Sequence, residues 1–199
     1  MTRSVDLILP DAGPLISLAH ADRLDLLALF GRLVVVLDVV RLECLRKPDA
    51  SDHPRLAAWF GGDNSRIGMA DTPIGPVYRD ALERERSGVD PVATRGLGDA
   101  ALSWALGNID RLTRPDAVPL VLVEDRRLAI RLQGLGAGHI LWTRSWLAAL
   151  AEAGLVDFDA VVAAMGRRGR GLSTLAVDAP MEGGSRWLGS DEVPDRKPN

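Results

Sequence analysis

The stretch VDLILPDAGPLISLA, residues 5–19, contains the pattern that decides the fold. The apolar run from Val5 to Leu9 ends at Pro10, and its length and composition are typical of a buried strand. Asp11 follows directly, and beyond it apolar residues recur at helical spacing, at Leu15, Leu18 and Ala19. The stretch therefore predicts a buried strand, a turn that carries an acidic side chain, and a helix that packs back onto the sheet.

Two further apolar runs repeat this pattern along the chain. Leu33–Leu37 is a continuous valine-rich run, and Leu120–Val123 follows a proline and ends in acidic residues. Helical spacing occurs at Ala101, Leu102, Ala105 and Leu106, and again at Leu128, Ile130, Leu132 and Leu135. Strands that alternate with helices predict an α/β fold, a three-layer α/β/α sandwich with a mostly parallel central sheet and right-handed crossovers.

The same pattern predicts one domain over residues 1–166. A chain of 199 residues, 47% of them hydrophobic, can bury one sizeable core but is short for two. Residues 61–97 are rich in Gly, Pro, Asp and Arg, so we expect a surface excursion there, with a short strand near Arg66–Met69 and a short helix near Val77–Arg86. Gly, Ser, Pro and charged residues dominate from 167 to 199, which predicts a flexible C-terminal tail.

Composition limits the location and the partners of the protein. No apolar run approaches the ~18 residues of a membrane-spanning helix, and the N-terminal residues lack the apolar segment of a secretory signal. We therefore expect a cytoplasmic protein that makes no membrane contact. Cys44 is the only cysteine, which excludes an internal disulfide and a thiol-rich metal site. The net charge of −3 argues against a general nucleic-acid binder, so any contact with nucleic acid would be local.

Acidic residues follow the predicted strands. Asp11 comes directly after the first strand, Glu43 lies one turn into the helix after the second, and Asp125 follows the third. Because the carboxyl ends of parallel strands share one crevice, where ligands bind, these side chains should meet there. Asp99, at the start of a helix opened by Gly96-Leu-Gly98, can add a fourth carboxylate.

This placement favours a metal site. Crowded carboxylates raise one another's pKa values unless a cation offsets their charge. An oxygen-only set favours a hard cation such as Mg²⁺ or Mn²⁺, which can activate a water and stabilise charge on a phosphoryl oxygen. Taken singly, Asp11 or Asp99 could be an ordinary helix N-cap and Glu43 a solvated helix residue. Their joint placement is what predicts phosphodiester hydrolysis.

Four segments, in order, resemble the motifs of the PIN-domain nucleases: DAGPLISLA at 11–19, VRLE at 40–43, GLGDAAL at 96–102 and VLVEDRR at 121–127. The resemblance covers roughly residues 5–153. It implies a metal-dependent endoribonuclease, the activity of VapC-type toxins and of RNA-processing members of the family. It also implies catalytic and metal-binding roles for Asp11, Glu43, Asp99 and Asp125, with Glu124 competing with Asp125 for the fourth place.

Partners follow from the same resemblance and from the basic residues beside the last acid. Arg126, Arg127 and Arg131 can form a strip for RNA phosphates, although a solvated helix face is the ordinary alternative. The family resemblance implies a homodimer. For a toxin of a toxin–antitoxin pair, it also implies a small antitoxin protein that blocks the acidic crevice with a basic side chain.

Two alternatives stay open. A non-catalytic PIN-like module would bind RNA or a protein partner without turnover, and it need not bind Mn²⁺. A Rossmann-like or receiver-like α/β domain would share the alternation of strands and helices. Against it, the turn after the first strand reads Asp11-Ala-Gly-Pro14 rather than GxGxxG, and no lysine suits a receiver site.

Overall fold

The computed structural model describes residues 5–29, 32–62, 65–135 and 138–167. Five parallel strands form one sheet in the order β3-β2-β1-β4-β5. The strands are β1 (Leu7–Pro10), β2 (Leu33–Leu37), β3 (Ile67–Ala70), β4 (Pro119–Val123) and β5 (His139–Trp142). The predicted α/β class is confirmed, and each strand runs parallel to its neighbours.

Helices connect and cover the strands. They are α1 (Ala12–Ala21), α2 (Asp38–Cys44), α3 (His53–Gly61), α4 (Ile74–Arg86), α5 (Leu97–Gly107), α6 (Ile109–Leu112), α7 (Arg126–Gln133), α8 (Thr143–Glu152) and α9 (Phe158–Arg167), and a 3-10 turn spans Leu24–Ala28. None of these helices, within the residues described, is both long and apolar enough to cross a membrane.

The core lies on both faces of the sheet. Every residue of β1 and of β4 is buried. Because successive side chains of a strand point to opposite faces, both faces must be covered by helices. The strand order agrees with this, because β1-β2-β3 and β4-β5 step in opposite directions, and crossovers of the usual right-handed kind would then place their helices on opposite faces. The result is the three-layer sandwich that the apolar runs predict.

The order in which strands are added to the sheet reverses between β1 and β4. From β1 the chain moves outward through β2 to β3 and then returns to the other side of β1. Ligands of open parallel sheets bind outside the carboxyl ends of the strands at such a point. The strand order is that of the first five Rossmann strands and differs from the 2-1-3-4-5 order of receiver domains, which excludes the receiver-like alternative.

The expected surface excursion over 61–97 is corrected by the structure. Its predicted strand is β3, an edge strand paired with β2, and its predicted helix is α4, which begins at Ile74 and packs against α2 and α5. The segment has a polar composition because most of α4 faces solvent, and this composition suggested an excursion over the surface. Tyr78, Ala81 and Leu82 of α4 are nevertheless buried. The segment is therefore an integral part of the sandwich.

The described part of the domain ends at Arg167, the last residue of α9, which packs against α1 and α8. The predicted flexible tail lies, beyond that residue, outside the described residues.

Candidate active site

Asp11 stands where β1 meets α1. Its backbone N–H donates to the Leu122 carbonyl of β4 at 2.9 Å, which fixes the turn at the point where the sheet changes direction. Burial raises the pKa of its carboxyl to about 6, and the negative charges of Asp99 and Glu124 raise it too. The backbone N–H groups of Ala12 and Gly13 oppose this shift. Asp11 therefore lies within electrostatic reach of two other acids from distant parts of the chain.

Glu43 lies in the last turn of α2 and is partly buried. Burial raises the pKa of its carboxyl to about 7, and the charges of Asp11 and Asp99 add to that effect, while Arg46 lowers it. A carboxyl with this pKa exchanges its proton near neutral pH. The carboxyls of Asp11, Glu43 and Asp99 therefore lie within electrostatic reach of one another.

A glycine allows Glu43 to approach α5. A Cβ atom at Gly98 would lie 2.7 Å from Oε1 and 2.9 Å from Oε2 of Glu43, closer than Cβ atoms approach such atoms in proteins. Gly96, which precedes the helix, has a φ of 77°, in the left-handed region that favours glycine. The two glycines of the Gly96-Leu-Gly98 segment therefore turn the chain and let the first turn of α5 come against the carboxylate.

Asp99 is in that first turn of α5, and a cation contacts it directly. Arg131 on α7 donates from Nη1 to Oδ2 of Asp99 at 2.9 Å, with 56% of the arginine side chain and 33% of the aspartate side chain exposed. Arg131 was predicted to bind RNA phosphates together with Arg126 and Arg127. In the structure those two side chains are exposed in the first turn of α7, whereas Arg131 bonds to the acidic site itself.

The structure separates the two candidates for the fourth acid. Asp125 is exposed and caps α7, with Oδ1 accepting from the backbone N–H groups of Arg127 at 2.7 Å and Leu128 at 2.9 Å. Glu124 is partly buried, and its charge raises the pKa of Asp11. Glu124 therefore lies within electrostatic reach of Asp11, whereas Asp125 performs the N-cap function common for an acid at that position.

We call Asp11, Glu43, Asp99 and Glu124 the acidic group. The donors are all carboxylate oxygens, and burial, together with the neighbouring negative charges, raises the pKa values of Asp11 and Glu43. This chemistry fits Mg²⁺ or Mn²⁺. Within the described ranges, no three His, Cys, Asp or Glu side chains lie close enough to hold a metal ion. Coordination would therefore require these side chains to draw together.

A polar network that the sequence did not suggest holds Arg46 beside Glu43. Arg46 bonds to Glu85 and, at 3.3 Å, to Oγ1 of Thr94. Glu85 in turn accepts from the Thr94 N–H at 2.9 Å and its hydroxyl at 2.6 Å. The network ties together the end of α2, the end of α4 and the segment that precedes α5. These partners lie 39 and 48 residues from Arg46, a separation that no local sequence signal reveals.

A second acid that sequence reasoning missed is Asp38, at the start of α2. It is buried, and its Oδ1 accepts from Val39 N–H at 2.9 Å, Thr72 N–H at 3.2 Å and the Thr72 hydroxyl at 2.9 Å. A Cβ atom at Gly75 would lie 1.6 Å from Oδ2. These hydrogen bonds connect the start of α2, directly after β2, to the segment between β3 and α4.

Comparison with known proteins found no relative on which a function could rest. No protein-family model matches the sequence, and no curated protein and no solved structure matches it. A function for this chain therefore rests on the residues and geometry of the acidic group.

Proposed function

We propose that this chain is a metal-dependent endoribonuclease of the PIN-like type, which hydrolyses RNA phosphodiester bonds at the acidic group. One observation carries the proposal: acids from three other segments of the chain, Glu43, Asp99 and Glu124, lie within electrostatic reach of Asp11 at the carboxyl end of β1, where the strand order reverses. Burial first, and then the neighbouring negative charges, raise the pKa of Asp11 and Glu43, so ionised carboxylates at these positions destabilise the fold. Such costly groupings are typical of functional sites.

The residues of the acidic group suit different steps of hydrolysis. A bound Mg²⁺ or Mn²⁺ would supply a Lewis acid and an activated water. Asp11, fixed by its backbone bond to β4, and Asp99 and Glu124 would hold the ion. The Glu43 carboxylate, which lies within electrostatic reach of Asp11 and Asp99, would take a proton from the attacking water. The water oxygen would bond to phosphorus as the bond to the leaving oxygen breaks, and the proton would pass to that oxygen.

RNA would approach along the start of α7. Arg126 and Arg127 are exposed there, directly after Glu124 and Asp125, and arginine makes bidentate contacts with phosphate. The chain has a net charge of −3, so these arginines would supply a local rather than a general attraction for RNA.

The proposal extends to partners and location. We infer membership of the PIN-like nucleases, relatives of the VapC-type toxins, from the four segments that resemble their motifs. A homodimer, a small antitoxin with a basic side chain in the acidic crevice, and a cytoplasmic location belong to the same proposal.

A second candidate function is a non-catalytic PIN-like module that binds RNA or a protein partner. The observation that favours it is the bond from Arg131 to Asp99, because a cationic side chain there offsets part of the charge that a metal ion would otherwise offset. Such a module would not need to bind Mn²⁺.

RNA cleavage separates the two candidates. A pool of structured and single-stranded RNA is incubated with Mg²⁺ or Mn²⁺ and the wild type, Asp11→Asn, Glu43→Gln or a control, Asp80→Asn. Asp80 is exposed and pairs with Arg84 on the outer side of α4. We expect cleavage by the wild type and the control, and its loss in the two site variants with circular dichroism unchanged. No cleavage with either metal would favour the binding module, and metal-independent cleavage would contradict both candidates.

A further inference from the structure

Arg131 makes a direct contact with the acidic group. Its Nη1 donates to Oδ2 of Asp99 at 2.9 Å, a distance typical of a charge-assisted hydrogen bond. The pair joins two helices from different crossovers, since Asp99 lies between β3 and β4 and Arg131 lies between β4 and β5. The contact therefore depends on the tertiary fold and not on local helix spacing.

The exposure of this pair indicates that it can exchange. With 56% of its side chain exposed, Arg131 remains largely hydrated, and exposed ion pairs of this kind contribute little to stability. A divalent cation among the acidic group would face Asp11, Glu43 and Glu124 as well as Asp99. Two cations close to the same carboxylate repel each other, so a bound metal ion disfavours the arginine contact.

We propose that Arg131 and the divalent cation compete for Asp99. In the metal-free protein the guanidinium holds the Asp99 carboxylate, and it leaves that carboxylate when the ion binds. Arg131 is then a positioning residue that acts on the site through Asp99 and sets the affinity for the metal. This inference rests on the proposed function, because it takes the acidic group as a metal site.

Binding of Mn²⁺ to the full chain tests the competition without reference to cleavage. The free Mn²⁺ concentration is followed by electron paramagnetic resonance during titration of the wild type, Arg131→Gln and Arg127→Gln. Arg127 lies one turn earlier on α7, is exposed and donates its backbone N–H to Asp125, so this variant removes the same charge from the same helix without disturbing Asp99. The Arg127→Gln variant therefore measures the long-range effect of one positive charge on the affinity for Mn²⁺.

We expect Arg131→Gln to bind Mn²⁺ roughly two- to fivefold more tightly than the wild type, the range set by the strength of an exposed ion pair. Arg127→Gln should change the affinity by less than this, and Arg131→Lys, which keeps the charge, should stay near the wild type. Circular dichroism checks that each variant is folded.

Two results would overturn the competition. Weaker binding by Arg131→Gln would mean that the arginine supports metal binding, and a change no larger than that of Arg127→Gln would mean that it acts only through long-range charge. In both cases the wild type still binds Mn²⁺, so the proposed function stands. If the wild type itself binds no Mn²⁺, the metal site fails and the competition fails with it.

Discussion

Asp38 and Asp11 occupy equivalent places at the ends of neighbouring strands, yet their surroundings are opposite. Each directly follows a strand and stands at the start of a helix. Asp38 faces donors at one oxygen, because Val39 and Thr72 supply three hydrogen bonds to its Oδ1. Asp11 lies near other acids, and its pKa is raised to about 6. The two acids therefore differ in what faces them: hydrogen-bond donors for Asp38 and other acids for Asp11.

Substitution of the two acids should give the largest difference. Asp11→Asn should lower metal-dependent RNA cleavage by at least about 100-fold, since even groups that only orient metal ligands are worth roughly 10–100-fold. Its stability should not fall, because the change removes a charge that like charges repel. Asp38→Ala should lower the free energy of unfolding by about 1–3 kcal/mol, because it leaves buried donors without an acceptor.

Cleavage rates and urea denaturation, measured on the same preparations, give both quantities. Two results would contradict a structural role for Asp38 and a catalytic role for Asp11. The first is that Asp11→Asn is destabilised as much as Asp38→Ala, and the second is that Asp38→Ala still folds fully but no longer cleaves RNA.

Substitution of two glycines, one beside Asp38 and one beside Glu43, tests the same difference between a structural and a catalytic acid. Gly75→Ala would place a methyl group 1.6 Å from Oδ2 of the fixed, buried Asp38, so we expect a loss of about 1–3 kcal/mol in stability from overpacking. Gly98→Ala would displace only the end of the flexible Glu43 side chain, which it would approach at 2.7 Å. We therefore expect a smaller loss of stability and a marked loss of cleavage. Equal loss of stability in both variants would contradict the distinction.

Glu124 and Asp125 make an adjacent pair in which only the first belongs to the acidic group. Asp125→Ala should cost about 1 kcal/mol of stability through loss of the α7 N-cap, with cleavage largely kept. Glu124→Gln should lose cleavage and keep its stability. Thermal denaturation and cleavage assays on the two variants distinguish these outcomes, and loss of cleavage in a folded Asp125→Ala would return Asp125 to the site.

The smallest effect concerns pH. The pKa values of Asp11 and Glu43 are about 6 and about 7 in the folded protein, against about 3.9 and 4.3 in an unfolded chain. The folded state thus binds these protons more tightly, and the stability that they contribute is complete below about pH 4 and is lost as the pH rises through 6 and 7.

In metal-free buffer we expect the fall in melting temperature between pH 5 and pH 8 to be smaller for Glu43→Gln than for the wild type. Mn²⁺ should restore stability at pH 8 by binding the folded state. An identical fall in melting temperature in both proteins would show that ionisation of Glu43 does not destabilise the folded state.

Much of the fold could be predicted from the sequence because its central strands are buried on both faces. Such strands are continuous apolar runs, and β1, β2 and β4 were each predicted from one. The edge strand β3 reads Ile-Gly-Met-Ala and is only partly buried, so it gave a weak signal within a polar segment. Ile130 shows the limit of helical spacing, since it follows the pattern of α7 but is 59% exposed.

The sequence also predicts that Asp11, Glu43 and Asp99 lie near one another, because parallel strands end at one edge of the sheet, and in the structure these three carboxyls are within electrostatic reach. What the sequence could not supply were contacts made across the fold. Arg131 and Asp99 are 32 residues apart, and Thr72 and Asp38 are 34 apart. The cap at Asp125 is defined by two hydrogen bonds, from the backbone N–H groups of Arg127 and Leu128. The sequence does not show at which residue α7 begins, so it could not assign this cap.

The central claim is that the acidic group binds a divalent cation. Crystals grown with MnCl₂ and measured at the manganese absorption edge would locate that ion directly by its anomalous signal. We expect a strong peak among the carboxylates of Asp11, Glu43, Asp99 and Glu124, with Asp38 still bonded to Val39 and Thr72. A peak only elsewhere, or none at a Mn²⁺ concentration that supports cleavage, would contradict the claim.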